Sequence, residues 1–232
     1  MKGELTKMKL KTALLHQGRS IDDATGALSI PISQASTFQQ RKVGDFVYEY
    51  ARTGNPTREA LELLIRDVEQ GDRGFAFASG MAALSTVMDL FSAGDHLIIT
   101  SDVYGGTYRL FTQVLAKRQI AVDFVDTSNE ENVERAITPQ TKALFIETPT
   151  NPLLNITSIQ TMSKLAKEYD LLLIVDNTFS TPYWQNPIVQ GADIVVHSAT
   201  KYLGGHSDVV AGLVVTGRPS LSEQIAFLQN ST

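Results

Sequence analysis

From Gly74 onward the sequence keeps one rhythm, in which short apolar runs rich in β-branched and aromatic residues alternate with amphipathic stretches. GFAFAS precedes GMAALSTVMDLFSAG, HLIIT precedes YGGTYRLFTQVLAKR, AVDFVD precedes NEENVERAIT, and KALFIET precedes SIQTMSKLAKEYD; LLLIVD, DIVVHS and VVAGLVVT complete the series. Strands that alternate with helices form βαβ units around a mostly parallel sheet covered on both faces, which places the chain in the α/β class. Ligands of such sheets gather beyond the carboxyl ends of the strands, so the residues just after each strand carry the most information.

The chain has 232 residues, 43% of them hydrophobic and 19% charged, enough to bury one full core and form one main domain. Its formal net charge is −5 and its basic residues are scattered, which argues against a nucleic-acid footprint. There are no cysteines, so disulfides, thiolate metal sites and a cysteine nucleophile are excluded. The first residues, MKGELTKMKLKTALLHQG, have lysines but no apolar core of the kind a secretory signal needs, and no apolar run approaches a membrane span; a cytoplasmic protein is the expectation.

Residues 1–55 have little periodicity and read as an extended arm. After Pro56, TREALELLIRDVEQG predicts a helix with Thr57 as cap, Ala60, Leu61, Leu64, Ile65 and Val68 on one face, and Gly71 as terminator.

The strand ends bring forward Ser79-Gly80-Met81, Tyr104-Gly105-Gly106, Glu147 to Asn151, Asp176-Asn177-Thr178, and Ser198 to Lys201. Ser79-Gly80 opens a helix, whose free N–H groups and dipole suit a phosphate; taken alone, Ser79 reads more readily as a simple cap. Asp176 ends an apolar run, where a carboxylate needs a cation or donors; it could hold a protonated heterocyclic nitrogen, or cap a helix. A lysine after a strand is most often a solvated group. An amine that bonds covalently to an aldehyde, however, must lose its proton far below the free value of about 10.4, and the small, hydroxylic, glycine-rich surroundings of Lys201 leave room for a bulky partner.

No GxxxxGK[ST] and no GxGxxG after the first strand is present, which removes the common nucleotide loops and a short-chain dehydrogenase reading. A lysine, a carboxylate, an aromatic face and a helix N-terminus together suit pyridoxal 5'-phosphate (PLP). His16, His96, His197 and His206 are too dispersed for a metal site, so no metal is expected, and Gly204 and Gly205 read as a tight turn.

Together, YEYARTGNPTREALE, FASGMAAL, DVYGGTYR, ETPTNP, VDNTFSTP and HSATKYLGGHSD resemble the Cys/Met-metabolism family of fold-type I PLP enzymes, which have the aspartate aminotransferase-like fold. The resemblance runs from about Leu14 to the end. It implies that Lys201 holds the cofactor aldehyde, that Asp176 pairs with the pyridine nitrogen and that Tyr104 stacks on the ring. It further implies that Gly80, Met81, Ser198 and Thr200 receive the phosphate, that Asn151 reaches the ring hydroxyl, and that Arg109 and Glu147 support the pocket. Tyr50 and Arg52 would cross to the neighbouring subunit's phosphate, giving residues 1–55 the role of an arm in a homodimer or homotetramer and residues 56–232 that of the PLP-binding domain.

Members of this family break carbon–sulfur bonds of sulfur amino acids or, as cystathionine γ-synthases do, replace an activated homoserine ester with cysteine. The resemblance thus implies a cystathionine γ-lyase-like carbon–sulfur lyase, with FLQNS at 227–231 closer to γ-lyases than to synthases. Family members are longer, and their C-terminal part supplies a small domain and the arginine that grips the substrate carboxylate; both are expected to be absent here. A PLP-binding module without turnover is the alternative from another class.

Overall fold

Asn55, not Thr57, caps the helix that follows Pro56. In the computed structural model, which describes residues 9–16 and 25–231, the Asn55 side chain accepts the Thr57 N–H at 2.8 Å, while the Thr57 hydroxyl instead accepts the N–H of Ser33. An amide oxygen one residue before the proline reaches the free N–H groups that Thr57 lies too far inside the helix to cap. Leu10–His16 forms α1, so the expectation of an arm without regular structure is corrected there; apart from two isolated bridges, residues 25–55 have neither helix nor strand. Met1 to Met8, within the expected arm, lie outside the described residues.

Helix α2 spans Pro56–Glu69 and buries Ala60, Ile65, Val68 and Glu69; Leu61, expected on that face, is exposed. Gln70 supplies the left-handed turn that ends the helix, with φ 59°. Gly71 serves a different need, because a Cβ there would lie 2.2 Å from Val215 Cγ1.

The strands are β1 (Arg73–Phe77), β2 (His96–Thr100), β3 (Ala121–Val125), β4 (Thr141–Glu147), β5 (Leu172–Asp176), β6 (Ile194–Ser198) and β7 (Gly212–Thr216). They form one sheet in the order β1-β7-β6-β5-β4-β2-β3, in which β7 alone runs against the rest. The predicted strand VVAGLVVT is shorter than expected, starting at Gly212.

Between the strands lie α3 (Gly80–Met88), α4 (Gly105–Arg109, continued by a π turn and a 3₁₀ turn to Arg118), α5 (Glu130–Ala136), α6 (Ile159–Glu168) and α7 (Thr181–Trp184); α8 (Pro219–Ser231) follows β7. One face of the sheet packs Phe75, Phe145, Ile174 and Val196 against α3, α8 and the helical turns after α4. The other packs Ile146, Leu173, Val195 and Val215 against α2, α5 and α6. Fully buried strands explain why the apolar runs read as continuous rather than alternating.

The chain leaves β2 for β3 at one edge, then returns to place β4 on the other side of β2. The strand order therefore reverses between β2 and β4, opening a crevice at their carboxyl ends where a ligand can enter.

Candidate active site

Strand alternation sends Glu147, Asp176 and Ser198, the last residues of β4, β5 and β6, to the face occupied by Phe145, Ile174 and Val196. With the turns that follow they frame a cavity of about 210 Å³. It is lined by Gly80 and Met81 from α3, Tyr104 after β2, Glu147 and Asn151, Asp176, and Ser198, Thr200 and Lys201. Local chemistry accounts for each placement. Ser79 caps α3 by accepting the Ala82 N–H at 3.0 Å, which leaves the N–H groups of the first turn facing the cavity end of the sheet. Gly80 has no Cβ where one would lie 2.8 Å from Ser198 Cβ, so α3 can approach β6 closely. Gly205, at φ 77°, turns the chain after Lys201, whereas Gly204 is pressed against the Ala199 carbonyl, 2.8 Å from where a Cβ would sit.

Glu147 ties the two sides of the crevice together. One carboxylate oxygen accepts the Tyr104 N–H at 3.0 Å and the other the Asn151 N–H at 2.9 Å. Burial is the main reason its carboxyl is pushed up to about 8; repulsion from Asp176 and Asp102 adds to this and the two N–H donors oppose it. Burial likewise pushes Asp176 up, offset by the hydroxyl and N–H of Thr178 and by attraction to His197. Asp176 and Glu147 are register partners on adjacent strands, and among the described residues Lys201 is the only lysine or arginine lining the cavity. A carboxylate so placed favours a cationic ligand group beside it.

Thr200 lines the cavity with its hydroxyl already engaged, donating to the Ala211 carbonyl at 3.3 Å and accepting the Ala211 N–H at 3.1 Å. Arg109 is exposed on α4 and is not part of the lining. Nor do Tyr50 and Arg52 line it: the Arg52 guanidinium hydrogen-bonds the Asn230 carbonyl and lies 5.6 Å from the Tyr50 ring centroid. Ser79, Pro149 and Thr178 also line it, and so do Leu84, Thr107 and Phe179, which were not expected there. Leu84 follows Gly80 by four residues, so helical spacing alone could have placed it there.

His96 and His206 have structural partners. His96 Nδ1 lies 2.8 Å from the Thr141 hydroxyl and His206 Nδ1 lies 3.1 Å from the Gly204 carbonyl. Among the described residues no cluster of histidine and carboxylate groups could hold a metal, and no helix is long and apolar enough to cross a membrane.

The family described as Cys/Met metabolism PLP-dependent enzyme matches residues 11–232. The chain belongs to this family. It is 59% identical over 226 residues to a cystathionine gamma-lyase of Bacillus subtilis, a match covering 97% of this chain and 60% of that protein. It is 56% identical over 223 residues to a cystathionine beta-lyase of Lactococcus lactis, covering 96% and 59% respectively. A crystal structure of cystathionine gamma-lyase from Lactobacillus plantarum, complexed with L-serine, superposes with a TM-score of 0.95 at 58% identity, covering 97% of this chain and 59% of that one. The chain thus spans about 60% of the length of the relatives it matches, and the fold, with its family's dependence on PLP, agrees with the expectation from the motifs.

The raised carboxyl of Glu147 makes stability depend on pH in the cofactor-free chain. A folded chain that keeps this proton up to about pH 8, against 4.5 ordinarily, binds more protons than the unfolded chain in between. Stability is therefore highest below about 4.5 for this group and falls as pH rises to 8. Urea melts at pH 5 and pH 9 are expected to differ by roughly 4 kcal/mol more in the unsubstituted chain than in Glu147→Gln, which cannot titrate. Equal pH dependence in both would contradict the assignment.

Proposed function

We propose that this chain holds PLP at the carboxyl end of its sheet and contributes the cofactor-binding part of a carbon–sulfur lyase acting on cystathionine or a related sulfur amino acid. The observation carrying this reading is that Lys201, Asp176 and Tyr104 line one cavity beside the N-terminus of α3. The described residues fit the cofactor: a half-buried carboxylate with no arginine or lysine among them paired to it, a helix N-terminus brought close by Gly80, and one amine. Lys201 would hold the aldehyde and Asp176 the pyridine nitrogen. Tyr104 would cover the ring, and Asn151 would reach its hydroxyl. The N–H groups of Gly80 and Met81, with the hydroxyl of Ser198, would receive the phosphate. Thr200 could join them only by giving up its donation to Ala211.

PLP, when bound, supplies an electron sink for the pair released at the substrate α-carbon. The work of the chain is then to move and hold protons. The Lys201 amine takes the α-proton as a general base and returns it as the thiol departs. Asp176, as an anion, keeps the ring nitrogen protonated. Glu147 keeps the Tyr104 and Asn151 turns in place on the two sides of the ring. With water consumed, the products are a thiol amino acid, a 2-oxo acid and ammonia. Tyr50 and Arg52 would serve a neighbouring copy's phosphate in a homo-oligomer, a role for which the fork of guanidinium donors is suited.

The test is product analysis with cystathionine and PLP. Ammonia and a 2-oxo acid in equal amounts are expected. Cystathionine formed from cysteine and an acylated homoserine, with no ammonia, would replace the lyase by a γ-synthase. A bound cofactor with neither reaction would leave a binding module.

A further inference from the structure

Alternation at the ends of β5 and β6 sends Asp176 and Ser198 into the cavity and their neighbours, Asn177 and His197, to the opposite face of the sheet. Both neighbours are fully buried, and both meet one group, the carboxylate of Glu69 at the end of α2. Glu69 Oε1 accepts from Asn177 Nδ2 at 2.9 Å and lies 2.6 Å from His197 Nε2. Asn186, bonded to the Val68 carbonyl at 2.8 Å, approaches Oε2 at 3.5 Å. Glu69 itself has no accessible surface. A buried carboxylate is tolerated only where donors replace its water, and here those donors come from the two strand ends that frame the cavity.

We propose that Glu69 is a positioning residue for the cofactor site: from the far face of the sheet it grips Asn177 and His197, and so fixes the presentation of Asp176 and Ser198. The inference rests on the reading that the cavity holds PLP. The groups acting on Asp176 are Glu147 on β4, Thr178 just beyond β5 and His197 on β6, and of these His197 is held by Glu69. Glu69 touches neither cofactor nor substrate cavity in this arrangement; it acts through its two partners. Glu62, also on α2, provides the contrast: it bonds the Ala76 N–H on β1 at 2.9 Å and so joins the same helix to the sheet far from β5.

The experiment compares PLP affinity of the unsubstituted chain, Glu69→Gln and Glu62→Gln, with proton NMR of the cofactor-free chain. Glu69→Gln keeps the volume but loses the charge and one acceptor, and is expected to weaken PLP about tenfold and to move the pH midpoint of the bound cofactor's visible band. Glu62→Gln is expected to change stability without moving either. The imidazole N–H of His197 is expected as a slowly exchanging, downfield signal in the cofactor-free chain that Glu69→Gln removes. Should Glu69→Gln not fold, Asn177→Ala, which removes one of the two links, is expected to weaken PLP about threefold. Affinity and midpoint unchanged in Glu69→Gln, or in Asn177→Ala if that variant is needed, would overturn the inference and leave the cofactor reading intact. So would the absence of a protected imidazole proton. An unsubstituted chain that binds no PLP would instead overturn the cofactor reading, and this inference with it.

Discussion

Lys201→Ala is expected to abolish covalent capture of PLP while leaving the fold as stable as before. Among the described residues Lys201 is the only lysine lining the cavity, and its side chain is exposed. Removing an exposed side chain changes stability by no more than about 0.5 kcal/mol, so loss of capture would not follow from unfolding. Borohydride reduction of the unsubstituted chain with PLP, followed by peptide mass mapping, should place a pyridoxyl group on the peptide containing Lys201. Any turnover should fall by at least about a thousandfold in the variant, since the same amine also serves as general base. A pyridoxyl mass on another lysine, or equal labelling of Lys201→Ala, would defeat the proposed function.

Gly212→Ala is expected to be the most damaging of the small substitutions, lowering stability by about 3 kcal/mol or more. A Cβ at the first residue of β7 would lie 2.0 Å from the Ser79 carbonyl oxygen and 2.8 Å from the Gly80 nitrogen. These are backbone atoms at the cap of α3, held from the other side by Ser198, so relief requires moving the sheet or the helix. PLP affinity should fall with stability, because the displaced atoms carry the N–H groups assigned to the phosphate. Gly105→Ala is the control: its Cβ would meet only the end of the Arg109 side chain at 3.9 Å, and a change within about 0.5 kcal/mol is expected. Urea midpoints for both variants check this, and a Gly212→Ala chain as stable as Gly105→Ala would refute the packing argument.

Much of the site was legible because the strand-end rule depends only on where apolar runs stop. Asp176 ends LLLIV and Ser198 ends IVVH, so alternation carries both to one face once the sheet is assumed. Helix ends were less legible. Asn55 and Thr57 both have capping side chains, and the choice turned on a contact from Ser33, more than twenty residues away. Leu61 was assigned to the buried face of α2, but what a helix buries depends on the width of the surface it meets, which its own periodicity does not contain. Glu69, an acidic residue at a helix end, does not stand out in the sequence. Its spacing of four from Ile65 already placed it on the buried side.

From the order of its residues alone, this chain was committed to a helix-covered parallel sheet and to a lysine, a carboxylate and an aromatic ring at strand ends, because those features follow from local periodicity and from motifs contiguous in the chain. Tertiary structure alone decided that Arg109, Tyr50 and Arg52 lie outside the cavity. It alone turned β7 against its neighbours, bound Glu147 to the turns of Tyr104 and Asn151, and brought Glu69 behind Asp176. Those outcomes depend on which distant backbones can approach one another and which buried polar groups find partners, and neither is set until the whole sheet has closed on its helices.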